Sequence, residues 1–267
     1  MPNELFGILT ITIYPCFLEQ TMLLLFLYDY SSLQPQTTYM QPLLLLHGAL
    51  GSSAQFGALA SLLSEKFDIH TLDFEGHGKN SDAYDRPFRI EHFAENVVSY
   101  LDSHALGSCD IVGYSMGGYV ALHLASTLTE RVNRIFTLAT KFRWNPETSA
   151  KEAGFLDAGK IETKVPKYAQ FLQSLHGDSW QENLSATREM MIHLGDNPIL
   201  TPLVLSDVSQ RVRIGLGDRD TMVSFDETVE AYKALPNGEL QVFPQTQHPL
   251  EKVPVELFAT AITQFFI

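Results

Sequence analysis

The sequence has few cysteines and few positive charges. Cys16 and Cys109 are its only two cysteines among 267 residues, so neither a disulfide framework nor a cysteine-based zinc site is expected. A reducing cytoplasm is therefore the expected compartment. Lysine and arginine number 18 against 31 aspartates and glutamates, and the formal net charge is -13. This acidic balance argues against nucleic acid or an anionic membrane as the main partner and favours a small-molecule substrate.

Positive charge is absent from residues 1–65. A secretory signal begins with a positively charged region and ends at a small-residue cleavage site, and neither is evident. Residues 5–28 are strongly apolar, but Pro15, Glu19 and Gln20 interrupt the run of about 20 apolar residues that a membrane helix requires. In preference to a membrane anchor, we expect residues 1–39 to be an extra strand pair or a loosely attached extension, or translation to begin at Met40.

From residue 42 onwards, short apolar runs alternate with segments whose apolar residues recur at helical spacing. This alternation predicts an α/β fold, a mostly parallel, doubly wound sheet with helices on both faces. Predicted strands cover 42–48, 67–73, 109–113, 131–140, 211–217 and 239–243. Predicted helices cover 53–67, 89–106 with Gly107 closing the helix, 116–128, 225–235, and a last segment from about Val255.

Residues 141–206 break this alternation, because their pattern is mostly helical and includes four prolines. A helical block between two strand–helix units predicts a cap over one edge of the sheet. We therefore expect one domain over residues 40–267, with the cap inserted at about 141–206. The cap is rich in large apolar side chains, some of which should face a ligand pocket. These side chains are Phe142, Trp144, Phe155, Tyr168, Phe171, Trp180, Met190 and Met191.

A serine between glycines lies where a predicted strand ends and a predicted helix begins. The stretch Gly113-Tyr114-Ser115-Met116-Gly117 matches the pattern G-x-S-x-G. A turn this sharp leaves no room for side chains at the two glycines, and it projects the serine oxygen at the carboxyl edge of the sheet. Here the chain resembles the α/β-hydrolase superfamily, in which this turn is the nucleophile elbow. The resemblance covers residue 42 to the end and implies that Ser115 is a nucleophile.

The resemblance also implies an acid and then a histidine later in the chain. Asp220 occupies the G-x-x-D position after strand 211–217, and Asp218 and Asp226 are its rivals. His248 follows the last strand and is the only histidine after these candidate acids. We expect His248 to take the proton of the serine hydroxyl and Asp220 to orient its imidazole.

Two main-chain N–H groups should stabilise the oxyanion that forms during acyl transfer. One is that of Met116, directly after the nucleophile. The other is expected from Ala49, with Leu50 as the alternative, in the segment 47–51 that resembles the family's H-G-x motif. His47 should be structural. Residues 73–81 resemble the family's D-x-x-G-H-G loop, and no third ligand accompanies Asp73 and His77, so a metal site is not expected.

These features predict a serine hydrolase that cleaves a small, apolar carboxylic ester or thioester and needs no metal or organic cofactor. The same three residues could serve a carbon–carbon bond hydrolase, an acyltransferase or a lyase of the menaquinone-pathway type. Tyr119 argues against the lyase, because that family carries an arginine just after its elbow. A non-catalytic receptor on this fold is less favoured, since such proteins usually lose one of the three residues.

Overall fold

Six parallel strands form one twisted layer that positions the predicted site. The computed structural model describes residues 40–82 and 84–267. The strands run in the order β2-β1-β3-β4-β5-β6, and every neighbouring pair is parallel. The predicted α/β fold is confirmed. The strands are β1 (Pro42–Leu46), β2 (Asp68–Leu72), β3 (Cys109–Tyr114), β4 (Val132–Leu138), β5 (Arg211–Gly217) and β6 (Gly238–Phe243).

Helices connect these strands. They are α1 (Gly57–Leu63), α2 (Ile90–Ser103), α3 (Met116–Thr127), α4 (Pro146–Ala153), α5 (Ala158–Lys164), α6 (Pro166–His176), α7 (Trp180–Asp196), α8 (Pro202–Ser206), α9 (Phe225–Ala234) and α10 (Val255–Phe266). The predicted helix 53–67 is shorter than expected, because Ser53–Phe56 form a 3-10 turn before α1.

The end of α2 differs from the sequence-based expectation. Gly107 does not close this helix; Ala105 does, with a left-handed φ of 54°. The N–H of Leu106 donates to the oxygen of Leu101 over 2.8 Å, and the N–H of Ala105 donates to the oxygen of Asp102 over 3.1 Å. This pair of hydrogen bonds satisfies the last carbonyls of the helix, a role in which glycine is usual.

The two faces of the sheet are covered by different helices because successive side chains of a strand point to opposite faces. In β1, Leu43 and Leu45 belong to the core packed against α1 and α10. Leu44 and Leu46 belong to the core packed against α2, α3 and α9. Cys109 lies in this second core, fully buried as predicted, and burial raises the pKa of its thiol to about 12.

The segment predicted as a cap, residues 141–206, lies between β4 and β5 and contains α4 to α8, of which α8 contributes Leu205 to the core beneath the sheet. Its own small core joins Ile161, Leu172, Trp180 and Leu184 to Leu50 of the segment after β1. Phe155, one of the cap's large apolar residues, is 66% exposed and lies in neither this core nor the cavity beside Ser115. Residues 40–267 form one compact unit.

In the part of the chain that the structure describes, every helix is too short or too polar to cross a bilayer. Residues 1–39, for which a strand pair, a loose extension or a start at Met40 was expected, lie outside the described residues.

Candidate active site

Ser115 occupies a strained turn between β3 and α3. Its φ of 50° and ψ of −114° are rarely adopted by a residue with a side chain. A Cβ at Gly113 would lie 2.4 Å from the Cα of Gly118, and one at Gly117 would lie 2.3 Å from the main-chain oxygen of Leu46. The backbone therefore approaches too closely for any side chain at these two positions, as the G-x-S-x-G pattern predicts.

Neighbouring strands hold the turn in place. The N–H of Ser115 donates to the oxygen of Leu138 at the end of β4 over 2.8 Å. The hydroxyl of Thr140 donates to the main-chain oxygen of Ser115 over 3.0 Å. Both peptide groups of the serine are thereby bonded, so the surrounding structure fixes its strained conformation.

The structure brings Ser115, His248 and Asp220 together at the carboxyl ends of β3, β6 and β5. The Oγ of Ser115 is 3.5 Å from Nε2 of His248. Nδ1 of the same ring is 2.8 Å from Oδ2 of Asp220, whose side chain is only 1% exposed. A proton on Nδ1 is donated to this carboxylate, which leaves Nε2 as an acceptor facing the serine hydroxyl.

The two rival aspartates lie elsewhere. Oδ1 of Asp218 accepts a hydrogen bond from the N–H of Thr246 over 3.2 Å, so this carboxylate shapes the loop before His248. Asp226 is exposed in the first turn of α9. Asp220 is fixed by its own backbone, since its Oδ1 accepts from the N–H groups of Met222 and Val223, both over 2.8 Å.

Tyr114 is a further residue at this site that the sequence did not indicate. Its hydroxyl donates to the main-chain oxygen of His248 over 2.9 Å and is nearly buried. Burial raises the pKa of this phenol, so it stays protonated and remains a donor. The residue before the serine thus holds the loop that carries the histidine, a contact between positions far apart in the chain.

The residues predicted to supply the oxyanion donors line one cavity. Ala49 and Met116 line it together with Ser115. Among the described residues, no acceptor takes a hydrogen bond from the N–H of Ala49, Leu50 or Met116. Leu50 has a left-handed φ of 59°, which shows that the chain turns sharply after Ala49. Neither alternative for the second donor is bonded within the described residues, and of the two, Ala49 is the one that lines the cavity.

His47 fixes the segment that carries these donors. Its Nδ1–H donates to the oxygen of Gly48 over 2.8 Å, and its Nε2 accepts from the N–H of Phe74 over 3.2 Å. The ring is fully buried, and burial lowers the pKa of His47 to about 4. A neutral ring with both nitrogens bonded matches the structural role expected for it.

The segment 73–81 is held by its aspartate. The carboxylate of Asp73 accepts from the N–H groups of Ser53 over 2.6 Å and of Lys79 over 3.0 Å. Burial acts to raise the pKa of Asp73, but these hydrogen bonds outweigh it and leave the pKa below its usual value. His77 bonds the oxygen of Glu75 through Nδ1 over 3.0 Å. Burial, followed by the nearby His47, lowers the pKa of His77 well below its usual value.

Within residues 40–82 and 84–267, no group of three or more histidine, cysteine, aspartate or glutamate side chains could hold a metal ion. The carboxylate of Asp73 is taken up by backbone donors. Asp73 and His77 therefore act on the conformation of their own loop in this structure.

The cavity beside Ser115 is small and mostly apolar. Its volume is about 40 Å³. Of the two tryptophans, Trp144 lines the cavity and Trp180 belongs to the cap's own core. The apolar lining residues include Ile90, Trp144, Met190, Met191, Leu194 and Met222. The cap therefore contributes apolar side chains to the cavity, as expected from its composition.

Tyr119 lines the same cavity at the position where the lyases carry an arginine. Its hydroxyl accepts from the N–H groups of Ile199 and Leu200 over 3.2 and 2.9 Å. Burial raises the pKa of Tyr119 to about 12. The side chain is neutral and anchors the segment before α8, so it offers no positive charge to an anionic substrate.

Comparison with known proteins identifies the family. The sequence profile of the alpha/beta hydrolase fold matches residues 41–191, more than half of the chain. The chain therefore belongs to the alpha/beta hydrolase family and is an enzyme of that family, which confirms the resemblance found in the sequence.

Two relatives show the range of chemistry in similar chains. A pimeloyl-[acyl-carrier protein] methyl ester esterase of Chromobacterium violaceum is 26% identical over 226 residues, which is 76% of this chain and 85% of that protein. An ethanol acetyltransferase of Cyberlindnera fabianii is 27% identical over 94 residues, which is 34% of this chain and 28% of that protein. The second match spans less than a third of the acetyltransferase.

A solved structure with the same fold is the enol-lactonase from Burkholderia xenovorans LB400. It superposes with a TM-score of 0.69 and 17% sequence identity, covering 85% of this chain and 91% of that one. At this identity the likeness concerns the fold.

Proposed function

We propose that this enzyme is a serine hydrolase that cleaves a small, largely apolar carboxylic ester or thioester through an acyl-enzyme. One observation carries the proposal: a continuous chain of polar contacts runs from Ser115 Oγ through the His248 ring to the buried carboxylate of Asp220. A nucleophile, a base and a group that orients the base are the parts that acyl transfer requires.

In the first half of the reaction, Ser115 Oγ attacks the carbonyl carbon while Nε2 of His248 takes its proton. The 3.5 Å separation of these atoms is long for a hydrogen bond, as is common before substrate binds. The negative charge on the carbonyl oxygen is stabilised by the N–H groups of Met116 and Ala49. The imidazolium then gives its proton to the departing alkoxide or thiolate.

In the second half, a water molecule takes the place of the leaving group. His248 accepts its proton as the water oxygen attacks the acyl carbon, and then returns that proton to Ser115 Oγ as the acid departs. Asp220 keeps the ring in the tautomer with Nδ1 protonated and balances the positive charge of the imidazolium.

The apolar cavity of about 40 Å³ supports a small acyl group. The relatives support ester chemistry, since one is named as a methyl ester esterase. The match with an ethanol acetyltransferase supports acyl transfer to an alcohol as a second candidate, in which the alcohol takes the place of water in the second half.

The test is turnover of p-nitrophenyl esters of increasing acyl length by the wild type and by Ser115→Ala. We expect the optimum at short acyl groups and a loss of about 10⁴-fold or more in kcat for the variant. Ethyl ester formed when ethanol is added would favour the acetyltransferase candidate. Equal turnover by both proteins would refute the proposal.

A matched pair of aspartate variants tests the assignment of the acid. Asp220→Asn removes the acceptor for Nδ1–H and should lower kcat by about 10⁴-fold. Asp218→Asn weakens one loop hydrogen bond and should lower kcat by about fivefold or less. The reverse order of these effects would transfer the role to Asp218.

A further inference from the structure

Two charged side chains interrupt the apolar lining of the catalytic cavity. Lys141 and Glu152 line it together with Ser115. Their side chains are 12% and 4% exposed, so both charges are largely withdrawn from solvent. Charged groups this deeply buried need hydrogen bonds or close partners to offset their loss of hydration.

Among the described residues, Glu152 has one charged partner and no hydrogen bond. The nearest cation, Lys141 Nζ, is 3.8 Å from Oε1 of Glu152, which is beyond hydrogen-bond length. This ion pair is the one polar contact of the carboxylate with another described residue, and its oxygens are not among the fully enclosed polar atoms that lack a partner. The carboxylate therefore has unused acceptor positions at the wall of the cavity.

Glu227, the second carboxylate beside Lys141, provides a contrast. Its Oε1 accepts from the N–H of Ser224 over 2.7 Å, and its Oε2 accepts from the N–H of Arg143 over 2.8 Å. Glu227 is also buried, yet both of its oxygens are bonded by the protein itself. The unused acceptors of Glu152 are thus a property of that residue and not of buried carboxylates in this region.

Lys141 has unused donors. Its ammonium donates one hydrogen bond, to the main-chain oxygen of Met222 over 3.1 Å. Oε1 of Glu227 is 3.7 Å away and the Trp144 ring centroid 5.9 Å, so neither occupies a second N–H. Lys141 follows Thr140, whose hydroxyl bonds the main chain of Ser115, and this places the lysine backbone beside the elbow.

We propose that Lys141 and Glu152 form a binding subsite for a hydroxyl group on the acyl chain of the substrate. This inference rests on the proposed function and names its substrate class, a hydroxyacyl ester or thioester. A hydroxyl can donate to Glu152 and accept from Lys141 at the same time. The 3.8 Å between the two charged atoms leaves room for an oxygen about 2.8 Å from each.

A hydroxyl satisfies both groups, whereas an ionised group satisfies only one. A substrate carboxylate could accept from Lys141 but would lie beside the carboxylate of Glu152, with Glu227 Oε1 3.7 Å from the same ammonium. A substrate ammonium has donors only, so it could pair with Glu152 but could not accept from Lys141. Ser115 lines the same cavity as Lys141 and Glu152. The acyl chain stays bonded to Ser115 until the second half of the reaction ends, whereas the leaving group departs after the first half. We therefore assign the subsite to the acyl chain.

The experiment compares p-nitrophenyl butyrates that carry a hydroxyl at carbon 2 or 3 with the esters that carry a methyl group at the same carbon. The two substituents are similar in size, so the ratio of their kcat/KM values reports the hydroxyl contact. We expect the wild type to prefer one of the hydroxy esters by about tenfold or more. We also include the p-nitrophenyl hemiester of succinate and the 3-aminobutyrate ester.

Variants locate the contact. In Glu152→Met and Lys141→Met the ratio should fall towards one, whereas Glu152→Gln, which keeps an acceptor oxygen, should retain part of the preference. The double variant Lys141→Met/Glu152→Met replaces the pair with apolar side chains, which buried sites usually tolerate, and should prefer the methyl esters. Glu230→Gln is the matched control, because this glutamate is exposed and pairs with Arg143 outside the cavity, so the ratio should not change.

The outcomes separate this inference from the proposed function. Ser115-dependent turnover with a hydroxyl-to-methyl ratio near one, or a preference for the succinate or aminobutyrate ester, overturns the subsite and leaves the serine hydrolase intact. Turnover that survives in Ser115→Ala overturns the proposed function. A hydroxyl preference unaffected in the double variant also overturns the subsite.

Discussion

The imidazole of His176 donates a hydrogen bond from Nε2 to the main-chain oxygen of Leu50 over 2.9 Å. Its Nδ1 accepts another from the N–H of Gly78 over 3.0 Å. The ring is 1% exposed, and burial lowers the pKa of His176, which favours the neutral form that can both donate and accept. Helix α6 of the cap is thereby bonded to the segment that carries the N–H of Ala49.

We expect His176→Ala to lower kcat with little change in KM, because the loss of this bond loosens the segment that carries the proposed oxyanion donor of Ala49. We expect kcat to fall by about tenfold. The free energy of unfolding should fall by about 2 kcal/mol, because the oxygen of Leu50 and the N–H of Gly78 would each lose a buried hydrogen-bond partner. His176→Gln, which can restore the bond to Leu50, should recover part of kcat. His193→Ala, at another cap histidine, is the control. A loss of stability alone, with kcat unchanged, would contradict this positioning role.

Close packing at Gly117 predicts a second pair of variants. In Gly117→Ala, the new methyl group would lie 2.3 Å from the oxygen of Leu46 and 2.7 Å from that of His47, both in the main chain. We expect the free energy of unfolding to fall by about 2 kcal/mol or more, since backbone must move. Gly107→Ala meets no atom within 4 Å and should stay within about 0.5 kcal/mol of the wild type. Urea unfolding measures the free energy of unfolding of the two variants. Similar losses in Gly117→Ala and Gly107→Ala would contradict the packing argument.

The buried histidines predict that acid destabilises the fold. His47 has its pKa lowered to about 4, so in the folded state it binds a proton less readily than the unfolded chain does. The neutral His47 ring contributes about 3 kcal/mol to the free energy of unfolding. This contribution is fully present above about pH 6.5 and is lost as the pH falls from 6.5 towards 4. Asp73 and His176 also face this ring, the first favouring its protonation and the second opposing it.

Urea unfolding between pH 4 and pH 8 tests this dependence. His47→Gln should flatten the decrease in unfolding free energy between pH 6.5 and pH 4, while the exposed His104→Gln should leave it unchanged. If the unfolding free energy of His47→Gln fell with pH as steeply as that of the wild type, groups other than His47 would be responsible for the acid sensitivity.

Much of the fold could be predicted because its signals are local. The predicted bounds of β5 are those found in the structure, since its alternating apolar residues end at a glycine that marks the boundary. The elbow could also be predicted, because five consecutive residues contain both the serine and the glycines that its turn requires. These features need no knowledge of what lies across the molecule.

The contacts that complete the site could not be predicted in the same way. Tyr114 and His248 are 134 residues apart, and His176 and Leu50 are 126 apart. Such pairs depend on the order of the strands and on the packing of the cap. The spacing of apolar residues along the sequence gives neither of these. The end of α2 is a third case: Ala105 takes the left-handed conformation expected near Gly107, and the turn it forms places Leu106 in the same core as Leu101.

The cap is an enlarged crossover connection. The chain leaves β4 at Leu138 and returns at Arg211 to the neighbouring parallel strand β5, so the cap helices lie outside the hydrogen-bonded register of the sheet. Changes in cap residues other than those that bond the rest of the fold, such as His176, can therefore occur without shifting Ser115, Asp220 or His248. Substrate range and reaction chemistry can diverge at different rates in such a protein, and cap exchange between relatives is a practical route to new specificities.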